Sequence, residues 1–374
     1  MVLSALFVPT LLMAAGTVSV GADASVDAAA GLRGSGRGEE SLHASGLAHV
    51  AWESPAGDER PLGFSAYASV LWVEGRGSTE RFLGDYMGAN NTEAYNSLRL
   101  YSWWLEASGQ AVSLRLGALL ADEEFAGTAA GSELINSAFG WPAFISANTL
   151  NTGPAYYAAA LGARLAFKDA SGWSWQAGVY DGDSLDSPAG DDRPNRHGTH
   201  YAVNAGQGGF FITEVGYAPE QSALGMHAGI WHHSGDFTDL ETGDAHGGNY
   251  GGYLVVERTL AGSRGQPGNI QAHGRYGFSP EDRSEVAWSA DAAVAATGLW
   301  AWRPADVIFL GCAHVQLSSH LPDQDLERVW ELGYAAVITD HFTIKPDLQY
   351  ITHPGGSGDK EDSLLFTLRF TASY

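Results

Sequence analysis

The chain ends on the stretch SLLFTLRFTASY, residues 363–374. Successive side chains of a strand point to opposite sides. Leu364, Phe366, Leu368, Phe370 and Tyr374 therefore share one face, and Leu365, Thr367, Arg369 and Thr371 share the other. The ribbon has one apolar side and one mostly polar side, and it stays aromatic to its last residue. The same alternation recurs upstream. VSLRLG (112–117) sets Val112, Leu114 and Leu116 against Ser113 and Arg115. LGARLAFK (161–168) sets Leu161, Ala163, Leu165 and Phe167 against Arg164 and Lys168. FTIKPDLQY (342–350) sets Phe342, Ile344, Leu348 and Tyr350 against Lys345, Asp347 and Gln349. Period-two alternation of this kind marks a strand with one apolar face.

Sixteen such segments are predicted: 17–28, 43–53, 62–74, 97–107, 110–118, 160–168, 172–181, 209–219, 223–233, 249–259, 269–277, 286–299, 306–317, 326–338, 341–350 and 363–373. The gaps between them alternate. Long ones such as 75–96, 119–159 and 182–208 are separated by short ones such as 108–109, 169–171 and 220–222. A water-soluble sandwich has no reason to sort its loops this way. An outer-membrane barrel does, with an even strand count, short periplasmic turns, long external loops and both termini on the periplasmic side. The expected fold is all-β: one transmembrane antiparallel β-barrel domain over 17–374, with 119–159 folded into the lumen as a constriction loop. The apolar faces then meet lipid, because in hydrocarbon only a closed barrel satisfies the backbone of strands.

Composition agrees. Gly is 48 of 374 residues, well above the usual ~7 %. Asp and Glu number 43 against 20 Lys and Arg, for a formal charge of −23. That balance excludes a nucleic-acid partner, since phosphate neutralisation needs a basic surface. Most of the acid falls in the long gaps, where divalent cations can bridge it to neighbouring lipopolysaccharide. A single cysteine, Cys312, excludes an internal disulfide. LSALFVPTLLMAA (3–15) reads as the apolar core of a signal peptide, so 1–16 is expected to be a leader, reaching to 24 if cleavage falls at Ala22–Ala24. That site overlaps the first strand, and only one of the two readings can hold. No Lys or Arg precedes the segment, so the true start is expected upstream.

The gap 119–159 carries Phe125, Phe139, Trp141, Phe144 and Tyr156 and no Lys or Arg. A loop that long is usually functional or disordered, and this one is too aromatic for plain disorder. Around it the chain resembles the carbohydrate-selective porins of the OprB type. The motifs are SLRLYSWWLEASGQAVSLRLGALLADEEFA, ELINSAFGWPA and NTGPAYYAAALGARLAF. The likeness continues in VYDGD (179–183), HGGNYGGYLVVERTL (246–260), GRYGFSPEDRSE (274–285), RPAD (303–306) and PDLQYITHPGG (346–356), covering about residues 80–374. The resemblance implies a sixteen-stranded channel for sugar diffusion in the outer membrane of a Gram-negative bacterium, narrowed by 119–159. One departure stands out: Ala118 and Leu120 occupy positions where the family often carries a polar or basic residue, so sugar preference is open to drift.

The residue types suit a sugar. Arg offers a rigid fork of donors, carboxylates accept, and aromatic rings lie against C–H faces. From facing and motif position, the candidate pore-lining residues are Arg99, Glu106, Arg115, Arg164, Trp141, Lys345, Asp347 and Gln349. No cofactor is expected. His232, His233 and His246 do not make a metal set, because adjacent strand residues face opposite ways. Asp122 and Glu123 are read as solvent-loop carboxylates, and no nucleophile motif suggests an enzyme. Two alternatives remain open: a general or ion-preferring porin of the same architecture, and a secreted β-rich carbohydrate binder. Which sugar is preferred, and whether the channel is a monomer or a homo-oligomer, is not written in the sequence.

Overall fold

The computed structural model describes residues 16–54, 61–187, 194–204 and 206–374. The leader-like stretch 3–15 lies outside the described residues. Within them, sixteen antiparallel strands close into one barrel, each paired with its neighbours in chain order. They are β1 (Thr17–Arg33), β2 (Glu40–Ser54), β3 (Gly63–Arg76), β4 (Ser97–Ser108), β5 (Val112–Leu119), β6 (Ala160–Lys168), β7 (Trp173–Asp181) and β8 (Gly209–Tyr217). They continue as β9 (Leu224–Thr238), β10 (Ala245–Ala261), β11 (Asn269–Phe278), β12 (Val286–Thr297), β13 (Val307–Leu317), β14 (Leu326–Thr339), β15 (Phe342–Thr352) and β16 (Ser363–Ser373).

All sixteen expected strands are present. The first one is the seam: β1 pairs with β2 on one side and β16 on the other, so residues 22–24 are in a doubly paired strand. At the seam Val26 lies opposite Phe370 and Asp27 opposite Arg369. The Arg369 guanidinium grips Asp27 through Nε (2.7 Å) and Nη2 (2.9 Å). The loop sorting is weaker than expected at two places. β1 runs on to Arg33 and β2 starts at Glu40; β9 and β10 likewise extend to Thr238 and from Ala245. Alanine and glycine runs such as Ala28–Gly31 carry no alternation to read, although they pair as strand.

The outward faces are apolar, as alternation requires. Leu105, Leu116, Trp173, Ile230, Leu254, Leu310 and Leu332 are all exposed. The inward faces are not uniformly polar. Along β8–β14 they carry Phe210, Trp231, Tyr253, Phe309 and Val315, all buried. These meet Phe125, Leu134, Phe139, Phe144 and Ile145 of the segment 120–159, which forms one apolar core with them. Each ring so buried contributes about 1.5–3 kcal/mol. Two inward glycines make the room. A Cβ on Gly277 would stand 2.4 Å from the Phe144 ring, and one on Gly311 would stand 2.3 Å from Leu134. The segment is also tied to the wall by polar contacts. Glu331 of β14 accepts from the amides of Ile135 (2.5 Å) and Asn136 (3.0 Å). Arg275 of β11 donates to the carbonyls of Ala126, Ala138 and Gly140 at 2.7–2.8 Å. Glu214 of β8 accepts from the Ala126 amide at 3.0 Å. The segment leaves β5, crosses to the β8–β15 wall, and returns to β6.

Candidate functional site

Three neighbouring strands set charged side chains in one row. β4, β5 and β6 pair so that Glu106 is opposite Arg115 and Arg115 opposite Arg164. The flanking residues Leu105, Leu114, Leu116 and Leu165 point outward, so this row points inward. Two arginines side by side need an anion between them, and two carboxylates supply it. Arg115 Nε donates to Glu106 (2.9 Å) and its Nη1 to Glu124 (2.6 Å). Arg164 Nη2 donates to Glu106 at 2.9 Å, Arg164 Nε donates to Glu124, and Arg164 Nη1 donates to Ser113 at 2.6 Å. The formal charges of the four cancel. Glu124 comes from the first residues of the crossing segment, so the same stretch that narrows the barrel completes the row.

A stack of rings continues the row toward β2. The Arg115 guanidinium lies 3.9 Å over the Trp104 ring. Trp104 stacks on Tyr67 (5.3 Å, 13°), and Tyr67 on His49 (5.5 Å, 24°). Gly21 closes the far end, where a Cβ would come within 2.5 Å of the His49 ring. Ring faces are thus covered by one another, and ring edges meet the open interior. Glu123 is exposed there. Asp122, beside it, accepts from the Tyr156 amide at 2.9 Å, and burial pushes its carboxyl up to about 6. Enclosure by the barrel, together with Asp122, pushes the Glu123 carboxyl up to about 7. Both were expected in a solvent loop; the inward crossing of 120–159 instead carries them inside.

The remaining candidates go elsewhere. Arg99 sits roughly 20 Å along β4 from Glu106. It is 2 % exposed and bonded to the Tyr95 hydroxyl, and a Cβ on Gly198 would stand 3.4 Å from its Nε. Tyr101, Tyr156, Tyr157 and Tyr201 surround that end. Trp141 donates from Nε1 to the Thr152 carbonyl (2.9 Å) and packs edge-on against Phe210. Lys345 donates to the Glu133 carbonyl at 2.7 Å. Gln349 bridges Asn136 (3.1 Å), the Ala89 carbonyl (2.9 Å) and Asp347 (3.0 Å), and it is 0 % exposed. Gln349 therefore does not line the bore, and Asp347, 2 % exposed, barely reaches it. Both side chains point into the barrel, where the crossing segment covers them. Ala118 and Leu120 are buried in the cluster around Tyr101, so they too lie off the bore. His232 faces outward, and His233 is buried with Nε2 at 2.8 Å from the Gly182 carbonyl. His246 lies instead near Asp239 and Asp282, whose carboxylate is forked by Arg283.

The sequence reading missed Glu124, His49, Tyr67 and Trp104. Trp104 and Tyr67 are placed by register: Trp104 stands two residues from Glu106 on the same face of β4, and Tyr67 pairs with it from β3. Glu124 had no periodic signal to read.

In fold the barrel is similar to the high-pH structure of Pseudomonas putida OprB, with a TM-score of 0.80 at 15% identity, covering 96% of this chain and 94% of that one. It is also similar to an anion-selective porin from Comamonas acidovorans (TM-score 0.61, 11% identity, 96% and 100% covered). Vibrio cholerae OmpT gives a TM-score of 0.60 at 10% identity, with 96% and 100% covered. At such identities these likenesses establish the fold alone. No curated protein matches the sequence. The sequence itself matches the carbohydrate-selective porin, OprB family, over residues 58–374. The chain thus belongs to the OprB family of carbohydrate-selective porins, which are channels and not enzymes.

Proposed function

We propose that this chain is a passive diffusion channel in the outer membrane of a Gram-negative bacterium, selective for monosaccharide-sized sugars at the Glu106–Arg115–Arg164–Glu124 row. The observation that carries this is the pairing of two guanidinium forks with two carboxylates in a fixed, charge-balanced row inside a closed barrel. A neutral solute with many hydroxyls can accept from the free N–H groups and donate to the carboxylates, while a bare ion must break pairs to gain as much. The family membership supports sugars as the solute class. The acidic long-loop end also suits divalent cations bridging to lipopolysaccharide. Reconstituted protein should pass glucose-sized sugars in liposome swelling and show sugar-dependent block of ion current. Swelling no faster than that of empty liposomes would sink the proposal, and conductance without block would favour an ion-preferring porin.

A further inference from the structure

One cation on the outer wall is left without an anion. Arg328 of β14 points outward, between inward-facing Glu327 and Val329, and is exposed. It lies two residues from the strand end that joins the long gap 318–325, so it belongs to the long-loop rim. Outward Trp330 (49 % exposed), Tyr276 (48 %) and half-buried Trp288 lie on the same stretch of wall. Among the described residues Arg328 has no carboxylate within ion-pair distance. Asp325, just before β14 on the same rim, is held by the Gln316 amide at 2.8 Å.

Its side chain is nevertheless held in place. Arg328 Nη2 lies 3.3 Å from His314 Nδ1, and His314 stacks on Trp288 at 4.7 Å and 29°. Trp288 in turn packs against Tyr276 at 6.0 Å. A guanidinium always carries its charge, so Nδ1 must be the accepting nitrogen and His314 the neutral positioning residue. One of five donors is thereby spent, and among the described residues the guanidinium makes no other hydrogen bond. A charge on the lipid face of a barrel costs about 0–1 kcal/mol near the interface and more with depth. The aromatic neighbours mark the interface level. A planar fork at head-group height, fixed by a ring stack and lacking an anion, is matched by phosphate oxygens.

We propose that Arg328, oriented by His314 on Trp288, binds the phosphate head group of an outer-leaflet lipid directly, without a bridging metal ion. This rests on the membrane placement of the barrel but not on its solute. The local fork offsets an otherwise acidic rim, on a chain whose formal charge is −23.

The test titrates the purified full barrel in non-ionic detergent with EDTA present, read by native mass spectrometry. The probes are a phosphorylated acyl-glucosamine lipid, its dephosphorylated form, and inorganic phosphate. Wild type should retain the phosphorylated lipid over its dephosphorylated form. Arg328→Gln should weaken that retention at least about fivefold, with Arg328→Lys in between. His314→Phe, which keeps the ring on Trp288 but removes the acceptor, should lose part of the preference, and His314→Asn should recover it. Equal retention by wild type and Arg328→Gln overturns the site. So does loss of wild-type retention in EDTA, which assigns the lipid to metal ions on the acidic loops. Displacement of the lipid by equimolar inorganic phosphate would make it a free-anion site and reject the lipid. Planar-bilayer conductance separates the readings: an Arg328→Gln channel that conducts like wild type while losing the lipid supports the site. A wild-type chain that forms no channels overturns the membrane placement itself.

Discussion

Arg115→Ala is the most direct probe of the charged row. Of the five donors on its guanidinium, one goes to Glu106 and one to Glu124. Three remain, and the side chain is 18% exposed, so they can reach a passing solute. A hydrogen bond from a charged donor contributes about 1.5–3 kcal/mol, and a sugar hydroxyl that must leave water realises the low end. About 1.4 kcal/mol is a factor of ten in a binding constant. The sugar concentration that half-blocks single-channel current should therefore rise about tenfold in Arg115→Ala. Arg115→Lys keeps the charge but loses both the fork and the flat stack on Trp104, so it should fall between wild type and alanine. The alanine variant also leaves Glu106 and Glu124 with Arg164 alone, so residual ion current should turn toward cations. Single-channel recording in planar bilayers, with sugar added to either side, reads both quantities. A half-blocking concentration within twofold of wild type, in a variant that inserts normally, would refute the assignment of Arg115 to the sugar path.

Three further outcomes follow from neighbouring contacts. Glu106→Gln removes the carboxylate that both arginines share, so reversal potentials in a salt gradient should shift toward anions while insertion is unchanged. Gly311→Val would drive its side chain into Leu134 and Phe139 (2.3 and 2.7 Å from the first added carbon) at a cost of about 1–3 kcal/mol. The crossing segment should loosen from the wall, raising single-channel conductance and weakening sugar block. Glu123, with its carboxyl held up to about 7, is protonated in acid and ionised above that point. Cation preference should therefore grow as pH rises from about 6 to about 8, and Glu123→Gln should flatten the change.

The wall was legible and the filling was not, for one physical reason. A strand turns its side chains with a fixed period of two, so Leu114–Arg115–Leu116 declares its facing without any neighbour. Arg115, Arg164 and Glu106 were found that way, and antiparallel pairing then brought them together. The segment 120–159 has no period. Its path is set by apolar side chains seeking the β8–β14 wall, and neither Glu124 nor the covering of Asp347 and Gln349 could be read from alternation. A signal did exist on the wall itself. Phe210, Trp231 and Phe309 sit at positions whose alternation points inward, where a water-filled bore has no use for them. Inward rings beside inward glycines such as Gly277 and Gly311 indicate something packed against them.

That asymmetry bears on selectivity. If the crossing segment fills the β8–β15 side, the open path is left beside β1–β6, where the charged row and the ring stack lie. The row is neutral in sum although the chain carries −23, so the acid of the rim need not make the narrow part an ion filter. The stack from His49 to Trp104 presents edges rather than faces, which argues that its part is to hold Arg115 rather than to receive a sugar ring. Trp104→Phe should then preserve sugar block far better than Trp104→Leu, although leucine also fills the space. Equal block by the two variants would show that Arg115 is held by its carboxylates alone.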